Sequence, residues 1–236
     1  MRTADLEGRG SPEQEESEMA RWDKFWRDEA YVARNWLDPD ADIVRLSRLM
    51  KDHQVHKVLD LGCGVGRHLV YLSRDGFEVH GVDISAAGVE RCRKELAQHQ
   101  LQVAVQVADM FAIPYPDQCF DWVLSVQVIY HTTAAALQQA IQHVRDKLKA
   151  GGFFYVTFPP VDNISPDSGQ EIEPRTYLKE EDGEPLLHHY VISEEIDALM
   201  GGFTVLEKRL EPRESRDEAG QISRRLRWNV LAQRPA

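Results

Sequence analysis

Three glycines at alternate positions, Gly62, Gly64 and Gly66, follow directly on Val58-Leu59-Asp60-Leu61, a run that reads as a buried strand, and Gly66-Arg67-His68-Leu69 opens a helical pattern. The segment predicts a strand, a tight turn and a helix with no spacer between them. Glycine takes positive φ without penalty and lets a ligand approach the main chain without meeting a Cβ, so such a join predicts something bound at the turn. Beyond Gly76 a second strand, Phe77 to Val82, ends in Asp83. That is about 20 residues after the first glycine, where nucleotide-binding βαβ units place the acid that holds ribose hydroxyls. A close helix–strand contact without a ligand also needs glycines; the acid at the end of the second strand favours the ligand.

The alternation continues down the chain. Ser85 reads as an N-cap, Val89, Cys92 and Leu96 as a helical stripe, and Leu101 to Ala108 as a third strand ending in Asp109-Met110, a second acid at a strand's carboxyl end. Pro114-Tyr115-Pro116-Asp117 keeps the next loop non-helical, and Phe120 to Val126 reads as a fourth strand leaving into Gln127 to Thr132. Leu137, Ile141, Val144 and Leu148 mark a helix closed by Lys147, Lys149 and Gly151, and Phe153 to Phe158 is the fifth strand. Such βαβ units predict an α/β fold with a doubly wound, mostly parallel sheet, its ligand lying outside the strands' carboxyl ends. In a GxGxxG dinucleotide turn a third glycine stands where this chain has Arg67, so the nucleotide need not be NAD.

Residues 1–17 carry Glu7, Glu13, Glu15 and Glu16 with little to bury, and are expected to be a flexible acidic tail. A helix is expected from near Ser17, with Trp22, Phe25 and Trp26 on one face and Tyr31 and Trp36 following. Residues 18–54 thus form an N-terminal helical lid or cover: as a lid, Trp26 and Tyr31 line a ligand pocket; as a cover, they only pack. Past the fifth strand, residues 162–190 are expected to be a variable insertion on the ligand side, with Asp162 to Pro185 a loop. Ser193 to Met200 reads as a short helix, Phe203 to Leu210 and Arg224 to Gln233 as strands, and Glu211 to Gly220 as a charged connection between them.

A net charge of −11 argues against a nucleic-acid backbone as partner, which requires clustered Lys and Arg. No apolar run has membrane length and Met1 to Ala20 is polar, so a cytoplasmic protein with no membrane partner is expected. Cys63, Cys92 and Cys119 are too scattered for a disulfide framework or a metal site, and Cys92 reads as a core residue.

Taken together, Val58 to Gly66, Val82-Asp83, Ala108-Asp109-Met110, Phe120-Asp121 with its exit Val128-Ile129-Tyr130-His131, and Leu148-Lys149-Ala150-Gly151-Gly152 resemble the class I S-adenosylmethionine-dependent methyltransferases. More loosely, Gly64-Val65-Gly66-Arg67 with Leu69, Tyr71-Leu72-Ser73 and the late strand Leu226 to Gln233 are similar to the tellurite-resistance-type small-molecule methyltransferases. The resemblance implies a seven-stranded Rossmann-like sheet with an antiparallel C-terminal edge strand and N-terminal helices, a methyltransferase domain over 55–236, and S-adenosyl-L-methionine as cofactor. It implies a cofactor-binding set of Asp60, Gly62, Cys63, Gly64, Gly66, Arg67, Asp83, Ile84, Asp109, Met110 and Gln127. Within that set the turn cradles the methionine part and ribose, Asp83 takes the ribose hydroxyls, Asp109 meets the adenine amino group, and the Gln127 to His131 exit faces the methyl.

A sulfonium is already an activated methyl donor, so the protein mainly holds a nucleophile in line and excludes water. His131 is the candidate base, since imidazole titrates near neutrality; orienting its loop by a hydrogen bond is the competing role. Trp26, Tyr31 and Tyr130 are candidates to face the cationic sulfur, and Arg67 to counter a carboxylate or an anionic acceptor. The expected reaction is methyl transfer to a small-molecule acceptor. Its alternatives are a protein side chain as acceptor, a non-catalytic S-adenosylmethionine- or nucleotide-binding module, and a nicotinamide oxidoreductase.

Overall fold

Three helices precede the first strand: α1 (Pro12–Arg27), α2 (Glu29–Asn35) and α3 (Ala41–Asp52). The structure is a computed structural model, and it describes residues 12–181, 183–216 and 222–236. The first helix begins earlier than the expected Ser17, so residues 12–17 are not a tail; residues 1–11 of that expected tail lie outside the described residues. Pro12 stands at the first helical position, where its fixed φ suits a helix start, an N-terminal signal that the lack of apolar periodicity hid. Asp28 caps α2, its Oδ1 accepting from the Ala30 and Tyr31 amides at 2.8 and 3.0 Å.

The expected alternation then appears as β1 (Lys57–Leu61), α4 (Arg67–Arg74), β2 (Glu78–Asp83), α5 (Ala86–Gln98), β3 (Ala104–Val107), β4 (Phe120–Ser125), α6 (Ala134–Lys147) and β5 (Leu148–Phe158). Strand β3 is shorter than the sequence alternation suggested, because Leu101 and Val103 pack beside the core without joining the ladder. The chain continues through β6 (Gln170–Glu173), β7 (Thr176–Glu181) and β8 (Glu184–His189), then α7 (Ser193–Leu199), β9 (Thr204–Arg216) and β10 (Ile222–Gln233).

Seven strands form one sheet in the order β3-β2-β1-β4-β5-β10-β9. Strands β1 to β5 are parallel, and β10 enters antiparallel between β5 and β9. Alternate residues feed two cores: Val58, Trp122 and Leu124 meet α3, α4 and α5 on one face, while Leu59, Leu61 and Val123 meet α6 and α7 on the other. No helix among the described residues is long and apolar enough to cross a membrane.

Two segments read as loop are strands. Residues 170–189 form a separate antiparallel sheet in the order β6-β7-β8, where a Pro- and acid-rich connection was expected. At its centre Thr176 is satisfied across the sheet: its Oγ1 lies 2.7 Å from His189 Nδ1 and donates to Glu173 at 2.8 Å. The expected charged connection after Leu210 extends the β9–β10 ladder to Arg216, with Arg224 Nε on Glu214 at 2.8 Å. Opposite charges on facing strands support pairing as hydrophobic alternation would.

Helix α3 is tied to that hairpin. Asp40 caps α3 through the Asp42 amide at 3.1 Å, and both its oxygens accept from Arg227, at 2.5 and 3.1 Å. Burial alone would raise the Asp40 pKa, yet the Arg227 guanidinium holds it well below the ordinary carboxylate range. Removing one partner of a buried pair strands the other, so Asp40→Asn is expected to cost about 3 to 5 kcal/mol in denaturant unfolding. With the folded pKa depressed, this stability is present above the unfolded-state pKa and lost as pH falls below it; the acid-side loss of stability is expected to be shallower in the variant.

Candidate functional site

The glycine turn folds back on the end of β2. The Gly62 and Cys63 amides donate to Val82 O at 2.8 and 3.0 Å, and the Gly64 amide donates to Asp83 Oδ2 at 2.7 Å. All three glycines take positive φ (+78°, +51° and +89°). Each also meets a protein side chain: an added Cβ would lie 2.2 Å from Val128 at Gly62, 2.8 Å from the Trp26 indole at Gly64, and 2.5 Å from Cys92 Sγ at Gly66. Packing therefore demands the glycines, and what remains open to a ligand is the main chain of Gly62, Cys63 and Gly64, which borders a cavity of about 540 Å³.

That cavity gathers most of the expected site. Gly62, Cys63, Gly64, Arg67, Asp83, Ile84, Asp109, Met110, Gln127, Tyr130 and His131 border it, as do Trp26 and Tyr31. Two expected residues do not. Gly66 turns its open face to Cys92 on α5. Asp60 is buried behind the turn, its Oδ2 3.4 Å from His68 Nδ1, because residues 58 and 60 of β1 face α4. His68, not singled out from the sequence, borders the cavity instead.

Asp83 sits at the centre of the polar end. Its Oδ1 accepts from the Ser85 amide at 2.9 Å, and Asp23 Oδ1 accepts from Ser85 Oγ at 2.5 Å and the Ala87 amide at 2.9 Å, so α1 docks on the start of α5. Burial pushes the Asp83 pKa up to about 6; nearby Asp60 and Asp23 add to this, against the pull of the Ser85 and Gly64 amides. At the end of β3, Asp109 Oδ1 accepts from the Phe111 amide at 2.8 Å.

The opposite end is aromatic and imidazole-rich. Gln127, at φ +62°, donates its amide to Thr157 Oγ1 at 2.8 Å and turns the chain into Tyr130 and His131. The His131 ring contacts Trp22 and His188 at centroid distances of 4.9 and 4.6 Å, and its Nδ1 donates to Leu187 O at 3.0 Å. Burial lowers the His131 pKa despite the Glu181 carboxylate and the Leu187 carbonyl, so the ring is neutral near pH 7. His188 is driven down to about 3 by burial and by His131. Arg67 stacks on Trp36 at 4.9 Å, and burial holds its pKa near 10. Lys179, Glu181, His188 and Tyr190 of the small sheet, and Arg213, Arg225 and Arg227 of the hairpin, complete this wall. None carries a local motif, since each reaches the site only through strand pairing distant in sequence.

Several lining atoms lack partners among the described residues: Gln127 Oε1, Trp26 and Trp36 Nε1, and His68 and His188 Nε2 are buried without a hydrogen bond. Buried polar atoms are normally satisfied, so the lining is matched to a ligand rich in donors and acceptors. A nucleoside bearing an amino-acid tail has that chemistry.

A family model described as a methyltransferase domain matches residues 58–152, from the first strand into β5. Over that segment the chain is similar to methyltransferase domains. Among its relatives, "Methyltransferase GfsG" of Streptomyces halstedii is 32% identical over 41% of this chain and 35% of its own length. The chain spans about half or less of the length of the first curated relatives it matches. Among solved structures, the Burkholderia thailandensis 1,6-didemethyltoxoflavin-N1-methyltransferase, with bound 1,6-didemethyltoxoflavin and S-adenosylhomocysteine, superposes over 100% of this chain and 99% of its own, at TM-score 0.68 and 17% identity. TehB from Haemophilus influenzae does so over 87% and 66%, at TM-score 0.65 and 19% identity. At these identities the likeness is one of fold.

Trp26 rests on both Gly64 and Gly88, so the turn and α1 share one contact. Gly64→Val would place a branched side chain at positive φ against the indole, and is expected to cost about 2 to 4 kcal/mol. Hydrogen exchange across residues 22–27 is expected to accelerate in this variant more than exchange in β1 and β4.

Proposed function

We propose that the chain transfers a methyl group from S-adenosyl-L-methionine to a small-molecule acceptor. One observation carries this reading: a single cavity unites the bare main chain of the glycine turn and the strand-end acids Asp83 and Asp109 with an aromatic and imidazole wall. The cofactor supplies, when bound, a sulfonium-activated methyl that an acceptor lone pair displaces in line, S-adenosylhomocysteine leaving with the sulfur–carbon electron pair. The chain's own residues would then bind, orient and exclude water. The amides of Gly62 to Gly64 and the Asp83 carboxylate would hold the ribose and amino-acid part, and Asp109 and Met110 the adenine. Trp22, Trp26 and Trp36 border the cavity, so the N-terminal segment would exclude water there, whether as a lid or as a fixed cover.

An acceptor that arrives protonated needs a base. The neutral His131 ring, donating from Nδ1 to Leu187, would use its other nitrogen as the proton acceptor. A cavity of about 540 Å³ walled by α1, α2 and the small sheet suits a cofactor with a compact acceptor better than a folded protein surface. A methyl-transfer assay over a panel of thiols, amines, phenols and carboxylates tests the reading; S-adenosylhomocysteine binding with no transfer to any of them would favour a non-catalytic module.

Hydroxyl donors favour the ionised Asp83. Affinity for S-adenosylhomocysteine is therefore expected to be full above about pH 6 and to weaken as pH falls through that value, by up to about tenfold per unit. Asp83→Asn is expected to weaken binding by about 1.5 to 3 kcal/mol in calorimetry and to flatten the profile. For a protonated acceptor, His131→Gln is expected to lower kcat by about 100-fold or more with little change in S-adenosylhomocysteine affinity. In the unsubstituted protein the acid limb of kcat is expected to lie below the ordinary imidazole range, because burial lowers the His131 pKa.

A further inference from the structure

The acceptor end of the cavity holds more positive charge than its partners neutralise. Arg227 is taken by Asp40, Lys179 by Glu181, and Arg67 lies on Trp36 with Nη1 3.4 Å from Asp38 O. Arg213 and Arg225 have no such commitment. They face each other directly across the β9–β10 ladder, both border the cavity, and neither makes an ion pair or hydrogen bond among the described residues. Glu180 borders the same cavity without pairing to either. Burial lowers the Arg213 pKa, and the nearby Arg227 adds to this, so its charge is held at a cost that a bound anion would relieve. Arg213 acts electrostatically on Tyr130, and Arg225 on His188 and Tyr190, so both arginines belong to the imidazole end and not to the Asp83 end.

Two forked guanidinium groups on one strand pair, Arg213 half-buried and Arg225 exposed, both bordering the cavity without a paired carboxylate, form a receptor suited to a planar or tetrahedral oxyanion. We propose that the methyl acceptor carries a carboxylate or another oxyanion, and that Arg213 and Arg225 clamp this group while its nucleophile is presented toward the His131 end. The anion is the anchor. In the step itself the nucleophile bonds to the methyl carbon as the sulfur–carbon bond breaks, S-adenosylhomocysteine departs, and any proton on the nucleophile passes to the free ring nitrogen of His131. The inference rests on the methyltransferase reading and narrows its substrate class.

The test uses the full chain saturated with S-adenosylhomocysteine, titrated calorimetrically with benzoate, phenyl phosphate and benzamide. At least one anion is expected to bind about tenfold or more tighter than the neutral amide, the scale of hydrogen bonds to a charged group. Benzoate ahead of phenyl phosphate identifies a carboxylate, and the reverse a phosphate. Arg213→Gln and Arg225→Gln are each expected to remove most of that preference, Arg213→Lys to retain part of it, and all three to keep S-adenosylhomocysteine affinity, which also reports that they fold. Benzamide binding as well as both anions, or a preference that survives in the double glutamine variant, overturns the clamp. If S-adenosylhomocysteine itself does not bind, the cofactor reading has failed; the same titration on the free protein then judges the clamp by the same criterion.

Discussion

The Asp83 carboxylate, buried at the end of β2, is held by the amides of Gly64 and Ser85. Those two bonds join the first glycine turn to the start of α5, and so set where β1, β2 and both following helices meet. A carboxylate with two amide donors is satisfied but remains costly in an apolar surround with Asp60 and Asp23 nearby, which is why its pKa is raised. The backbone around it can stay close-packed only because Gly64 has no side chain, and the space so left is filled by Trp26 from α1. The N-terminal helices are thereby part of the site's construction.

The parallel half of the sheet was legible because its central strands β1 and β4 are buried on both faces and its turns need glycine, so the pattern is written in adjacent residues. Strand-end acids were legible for the same reason. Sequence and structure part where orientation or distant pairing decides. Asp60 and Gly66 lie inside the motif, yet the pleat and the turn direct them to His68 and Cys92. The small sheet and the long hairpin were missed because their stabilising pairs are polar and lie across strands, so each strand alone reads as charged loop. His188, Arg213 and Arg225 reach the cavity by that same route.

Charge within the cavity is separated along its length. Acids stand at the carboxyl ends of β2 and β3, and guanidinium groups stand on the hairpin, with the Trp22, Tyr130, His131 and His188 rings between. Such a field orients a dipolar occupant, and low-polarity walls keep it from being screened by water.

The antiparallel entry of β10 between β5 and β9 also has a temporal meaning. Strand β9 has no place in the sheet until β10 exists, because β10 supplies its hydrogen-bonding partner and the link to β5. During synthesis the free edge of β5 must wait while the small sheet, α7 and β9 are made, and α3 must wait for Arg227 to meet Asp40. Segments far apart in the chain are thus stitched together by non-local pairing, the kind of contact that forms slowly, and until it forms the β5 edge is the surface in most need of shielding.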